Sequence, residues 1–129
     1  MGIFSKKDVG NFGEDTAAKF LIKNKYKIIE TNYKTKLGEI DIICENKDYI
    51  VFVEVKTRKY GTPYRGYTAV NYKKQDHSIR TASMYLRTHK TDKQPRFDII
   101  EVEYYADGTA FVKEHYADAF WQRGDYGVF

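Results

Sequence analysis

Apolar and polar positions along the chain fall into two periods. Over residues 9–24, Ala17, Phe20 and Leu21 recur at helical spacing, which predicts a helix with one apolar stripe. Asn11, with Glu14 three residues on, is a candidate capping box, and Asn24 a candidate stop. The period then shortens. Tyr26 to Tyr33, residues 38–45 and residues 49–57 read as strands, and Asn46, Lys47 and Asp48 form a compact hairpin turn between the last two. Residues 58–68, with two glycines and Pro63, read as a loop. A second helix is predicted over residues 70–89, with Ile79, Ala82, Ser83 and Leu86 facing inward. Asp92 to Pro95 is a turn, Phe97 to Tyr105 a strand, Asp107-Gly108 a tight hairpin turn, and Thr109 to Glu114 the last strand. A short helix is expected around Ala119 to Trp121. The order α-β-β-β-α-β-β predicts an α/β fold, a mixed central sheet flanked by helices. Residues 1–129 are expected to form a single domain, a length suited to one core.

Charge interrupts this pattern where it is most apolar. Gly38-Glu39-Ile40-Asp41-Ile42-Ile43 and Phe52-Val53-Glu54-Val55-Lys56 place three carboxylates and a lysine inside predicted strands. A carboxylate in such a run is costly to bury unless a partner compensates it. Side chains alternate along a strand, so parity assigns faces. If Lys47-Asp48 is the two-residue turn, Asp41 faces Glu54 and Glu39 faces Lys56. If Asn46-Lys47 is the turn, Asp41 faces Phe52 and Glu54 is its diagonal neighbour. Either register keeps Glu39, Asp41, Glu54 and Lys56 on one face. Ile40, Ile42, Cys44, Val51, Val53 and Val55 share the other. Two carboxylates so close repel unless a proton or a cation is shared. Oxygen ligands and two negative charges suit Mg²⁺ or Mn²⁺. A lysine beside them can orient a water and offset charge on a pentavalent phosphorus as the ammonium, or deprotonate the water as the neutral amine. The structural alternative is a salt-bridged strand end, Glu39 to Lys56 and Asp41 to a neighbour.

Overall charge sharpens this. The net charge is +4, yet residues 56–96 alone hold eleven Lys/Arg against two acids, Asp76 and Asp92. The rest of the chain holds eleven against sixteen. A regional basic excess points to a polyanion, most simply nucleic acid; a solvated lysine-rich helix face is the plain alternative. Arg58, Lys59 and Arg65 in the loop can contact phosphates, and Tyr60, Tyr64 and Tyr67 can stack or pack. Lys73, Lys74, Arg80 and Arg87 extend the basic surface along the second helix. Hydrophobic content of 42% and charged content of 31% describe an ordinary globular chain. No apolar run approaches membrane-spanning length, and the first residues carry no apolar signal core, so a cytoplasmic protein is expected. Cys44 is the only cysteine and reads as a small buried hydrophobe. His77, His89 and His115 lack metal-ligand spacing and are expected at the surface. Tyr105 and Trp121 read as packing residues.

Four segments carry a resemblance. Gly13-Glu14-Asp15-x-Ala17, Gly38-Glu39-Ile40-Asp41-Ile42-Ile43, Phe52-Val53-Glu54-Val55-Lys56-Thr57-Arg58 and Arg96-Phe97-Asp98 are similar to the YraN-like family of small bacterial proteins. That family resembles Holliday-junction resolvases and the PD-(D/E)xK, or restriction-endonuclease-like, nucleases. The resemblance runs from about Asn11 to the tail. It implies a restriction-endonuclease-like core with Asp41 and Glu54 as metal ligands and the Val55 carbonyl as a third. It implies that Lys56 is the catalytic lysine, that Glu14 completes the site from the first helix, and that Gln75 lines it from the second. Ile40 stands where the superfamily name has proline. Asp98 would support the site from a neighbouring strand or cap the strand start.

The expected function is a Mg²⁺- or Mn²⁺-dependent endonuclease acting on structured or branched DNA. The alternative is a non-catalytic nucleic-acid-binding module on a nuclease scaffold. A third expectation is a protein-interaction subunit docking through Phe120-Trp121-Gln122-Arg123. A homodimer is implied only if the substrate is a junction cut on two strands.

Overall fold

The fold is described from a computed structural model, which covers residues 4–63 and 72–121. Arg65, Tyr64, Tyr67, Gln122 and Arg123 lie outside the described residues. The elements are α1 (Lys6–Lys23), β1 (Lys27–Thr35), β2 (Gly38–Glu45), β3 (Tyr49–Lys59), α2 (Tyr72–Thr88), β4 (Gln94–Tyr104) and β5 (Ala110–Tyr116). The strands form one mixed sheet in the order β1-β2-β3-β4-β5. Only β3 and β4 pair in parallel, as a crossover through α2 requires.

A helix covers each side of this sheet. Ala17 and Leu21 of α1 pack with Ile42, Cys44, Val51, Val53, Ile100 and Val102. Ile79, Ala82 and Tyr85 of α2 pack with Ile43, Ile50, Phe52, Phe97 and Ile99. Central strand β3 is therefore buried on both faces from Ile50 to Glu54, which is why Ile50–Val53 is uninterrupted apolar sequence. Phe52 and Phe97 stack at 5.6 Å in the α2 layer, and truncating either to Ala would cost about 3–5 kcal/mol.

Helix α1 starts five residues before the predicted cap at Asn11. Ser5 Oγ accepts the Asp8 N–H at 3.1 Å, and Asp8 Oδ2 accepts the Ser5 N–H at 3.2 Å, which closes a capping box at that point. Phe4 and Phe12 meet edge to face at 4.9 Å and rest on Tyr104, so tertiary packing carries the helix through Asn11. Glu14 is thus a mid-helix residue rather than part of a cap. The inward side of α2 is Gln75, Ser78, Ile79, Thr81, Ala82 and Tyr85, while Ser83 and Leu86 are only half-buried. Residues 119–121 form no helix; the Ala119 N–H bonds the Phe97 carbonyl at 2.7 Å and Phe120 enters the core.

The hairpin register is the first of the two predicted. Ile42 pairs with Val53 and Glu45 with Ile50, leaving Lys47-Asp48 as the turn. Asn46 Oδ1 stabilises it by accepting the Asp48 and Tyr49 N–H groups. The β2–β3 ladder ends at Ile42/Val53. Beyond it alternation fails: Ile40, assigned by parity to the face of Ile42 and Cys44, packs instead in the α2 layer beside Ile43 and Phe52.

Candidate active site

Where the ladder ends, a side chain takes over from the backbone. Asp41 Oδ2 accepts the Val55 N–H at 2.8 Å, which draws Asp41 against β3 beside Glu54. The two carboxylates line a cavity of about 740 Å³, open between the early turns of α1 and the start of α2. Val9, Gly10 and Glu14 line it from α1, Val55, Lys56 and Thr57 from β3, and Lys74 from α2. An adjoining pocket of about 140 Å³ shares Asp41, Glu54 and Lys74 and adds Gly38, Glu39, His77 and Ser78.

Two glycines allow this approach. A Cβ on Gly13 would stand 1.8 Å from Thr57 Oγ1, so only glycine lets α1 lie on β3 at this level. A Cβ on Gly38 would meet Thr81 Oγ1 at 3.2 Å and the His77 Cβ at 3.3 Å, so the start of β2 fits closely beneath α2. Glu14, next to Gly13, is thereby delivered to the cavity. Its Oε1 accepts a hydrogen bond from Asn32 Nδ2 at 3.0 Å. Asn32 lies on β1 with a left-handed backbone (φ 54°), a conformation asparagine tolerates better than most residues.

The electrostatics match five charged groups in a half-dry space. Burial, and then the charge of Glu54, push the Asp41 carboxyl up to about 7 against the opposing hydrogen bond from Val55. Burial raises Glu14 as well; the Asn32 bond opposes this, while Glu39, Asp15 and Glu54 add to it. Lys56 is lowered by burial and then by the like charge of Lys74, with which it lies in hydrogen-bonding reach. Lys74 binds Glu54 Oε2 at 2.6 Å. Burial would lower Lys74, but the hydrogen bond and charge of Glu54 raise it.

The structure brings Glu14, Asp41, Glu54, Val55 and Lys56 to one cavity, with Lys74 added to them. Lys74 is exposed on the second helix, as expected, and its ammonium also pairs with Glu54. Gln75 is buried on the inward side of α2, one residue beyond Lys74. Glu39 is exposed and pairs across the strands with Lys34; the nearby charges that act on Lys56 are Lys74, Glu54 and Asp41, so the Glu39–Lys56 bridge does not form. Lys59, Lys73 and Arg80 are exposed, and Arg58 is half-buried with its Nε buried and without a hydrogen-bond partner. Asn32 was missed, although an asparagine inside a strand run is itself a signal.

Asp98 belongs elsewhere. It is fully buried in a network of its own, accepting from Arg96 Nε at 2.9 Å, Arg96 Nη2 at 2.8 Å and the Asp118 N–H at 3.0 Å, with His115 Nε2 at 2.7 Å. Arg96 also donates to Tyr26 Oη. Burial would raise Asp98, but the His115 and Arg96 hydrogen bonds outweigh it and hold the carboxyl below its usual range. His115 is therefore a core-edge partner and not the surface residue expected. Tyr105 and Trp121, expected to pack, do meet other rings, Tyr105 against Tyr60 and Phe111 and Trp121 edge-on to Phe97, while both stay partly exposed.

Among the described residues no three His, Cys, Asp or Glu side chains gather into a ready metal group. Of the residues that line the cavity, Glu14, Asp41 and Glu54 carry carboxylate oxygens that could hold a hard cation. That set suits Mg²⁺, which keeps several waters and takes one or two carboxylates plus substrate oxygens. Among the described residues no helix is long and apolar enough to cross a membrane.

The family profile that matches residues 13–102 is that of the uncharacterised protein family UPF0102. A UPF0102 protein of Clostridium beijerinckii is 42% identical over 118 residues, covering 88% of this chain and 94% of the relative. A UPF0102 protein of Caldanaerobacter subterraneus subsp. tengcongensis is 48% identical over 102 residues, 76% of this chain and 81% of the relative. One of Acetivibrio thermocellus is 47% identical over 103 residues, 76% and 77% of the two chains. The matched span contains α1 from Gly13, the whole β2–β3 hairpin and Lys74, so every charged residue of the cavity lies within it, and the chain belongs to UPF0102.

Proposed function

We propose that this chain is a metal-dependent phosphodiester hydrolase that cuts structured or branched DNA. The observation that carries the proposal is the meeting of Asp41 and Glu54, beside Lys56 and Glu14, in one open cavity. Two mutually repelling, half-dry carboxylates weaken the fold unless a cation joins them. Mg²⁺ or Mn²⁺ bound by Asp41, Glu54 and the Val55 carbonyl would neutralise them and polarise a phosphoryl oxygen.

Lys56 sits beside that pair, two residues beyond Glu54 on β3. Its lowered proton affinity suits it to orient an attacking water and to accept a proton from it. Glu14, tethered by Asn32, can accept from the same water on the α1 side. Lys74 offers a second ammonium to the scissile phosphate once Glu54 is otherwise neutralised. Arg58, Lys59, Lys73 and Arg80 supply cations around the cavity for flanking phosphates. The test is a cleavage screen of junction, flap, single-stranded and RNA substrates in Mg²⁺ and in Mn²⁺. Cleavage that Asp41→Ala abolishes is expected, and its absence from every substrate would refute the proposal.

One observation favours a second reading, a nucleic-acid-binding module without catalysis. Lys74 already neutralises Glu54, so the fold holds together with its own cation. That reading requires salt-sensitive binding that survives Glu54→Ala.

A further inference from the structure

The sheet end next to the cavity carries aromatic side chains that the hydrolytic residues do not use. Tyr60 is 59% exposed, Tyr105 41% and Phe111 37%, in a chain that hides Phe97 completely. The three rings form a row: Tyr60 and Tyr105 lie 4.9 Å apart, tilted by 36°, and Tyr105 and Phe111 stack at 5.8 Å. Tyr60 directly follows β3, with its N–H on the Tyr104 carbonyl at 2.8 Å, and Tyr105 directly follows β4. The row is therefore fixed to rigid strand ends.

We propose that this row is a stacking platform for unpaired bases of the strand whose phosphodiester lies at Lys56. The proposal rests on the nucleic-acid reading above and narrows its substrate class to ends, flaps and junctions with unpaired nucleotides. Three features select that ligand. Tyr60 lies four residues beyond Lys56 along the line of β3, about 13 Å away, a distance that a few nucleotides of an unpaired strand span. The half-buried Arg58 lies between them and the exposed Lys59 beside them, while Glu101 and Glu103 alongside on β4 are buried and Glu103 is paired with Lys113, so the exposed charge on the path is cationic. A duplex hides the faces of its bases in its own stack, whereas an unpaired base presents a face that an exposed ring can cover. A protein partner would find these rings bordered by a run of cations, Lys56, Arg58 and Lys59, which suits phosphates better.

The test is binding in EDTA, where cleavage is silent, at fixed salt. The probes are a 20-nucleotide single strand, a flap and a blunt duplex, the first two carrying 2-aminopurine in the unpaired segment. Tyr60→Ala combined with Tyr105→Ala is expected to weaken single-strand and flap binding about tenfold or more, to change duplex binding about twofold at most, and to abolish the 2-aminopurine quench. Tyr60→Phe, which keeps the ring, is expected to bind as wild type does. Thermal melts of each variant identify any loss that comes from unfolding. Equal losses on all three probes, or none, would overturn the platform, as would a wild type that binds none of them. A protein that binds through these tyrosines but cleaves nothing would keep the platform and refute the hydrolase. Cleavage indifferent to the tyrosines would do the reverse.

Discussion

Lys74 Nζ stands 2.6 Å from Glu54 Oε2, so a cation from α2 occupies the carboxylate that β3 carries to the cavity. Glu54 is almost fully buried and Lys74 half-exposed, which makes the carboxylate the dependent partner. Lys74→Ala should therefore destabilise the metal-free protein by about 1–2 kcal/mol, since it leaves a buried charge unpaired but open to some water. Millimolar Mn²⁺ should restore most of that loss and should stabilise the variant more than wild type, because the competing ammonium is gone. Thermal melts of both proteins in EDTA and in Mn²⁺ measure this. Equal metal effects would mean that Lys74 and the cation do not share Glu54.

Asp41→Asn reverses the usual sign of a mutation in a buried polar site. Burial and Glu54 both disfavour the Asp41 charge, so removing it should stabilise the fold. In EDTA at pH 8 the expected gain is about 1–2 kcal/mol, seen as a higher melting temperature, while cleavage is lost. A destabilised variant would show that Asp41 is held by contacts rather than strained by its neighbours.

Gly13 tests the seating of α1. Helix propensity alone predicts that Gly13→Ala stabilises by about 1 kcal/mol. The overlap with Thr57 Oγ1 at 1.8 Å predicts the opposite, a loss of about 1–3 kcal/mol. Cleavage should fall as well, since Glu14 moves with the helix. Adding Thr57→Ala should recover part of the stability, as a chemical denaturation series would show.

Asp98 sets the acid limit of the fold. Its folded-state proton affinity lies below that of an ordinary carboxyl, so it stabilises the fold above the unfolded value. That stability is lost as pH falls through the folded value. Asp98→Asn should cost about 3–5 kcal/mol at pH 7, because Arg96 keeps its charge without a counter-ion. The gap to wild type should narrow steadily below about pH 4. Urea denaturation at pH 7 and pH 3 checks both statements; a gap independent of pH would contradict them.

The parts of this architecture visible from sequence are those written in local patterns. The order of elements and the shared location of Asp41, Glu54 and Lys56 follow from period and parity, which left the turn open between Lys47-Asp48 and Asn46-Lys47 until the strand register decided it. Glu14 was legible only through resemblance, because a glutamate near a helix start reads equally well as a cap. What stayed hidden depends on contacts distant in sequence. The start of α1 is set by Phe4 and Phe12 resting on Tyr104, far along the chain. Parity places Ile40 with Ile42, and the end of the β2–β3 ladder overrules it. The Asp98 hub needs His115 from the neighbouring strand β5 and Asp118 just after it, and no local spacing announces that.

The central claim is that Asp41, Glu54 and Lys56 form a hydrolytic centre, and Lys56→Ala tests it most directly. Lys56 lies at the cavity edge and is only half-buried, so the variant should keep the wild-type melting temperature within a few degrees. Single-turnover cleavage in Mn²⁺, on whichever substrate wild type cuts, should fall by at least about 100-fold, with substrate affinity changed far less. Cleavage by Lys56→Ala at the wild-type rate, with its fold intact, would contradict the account.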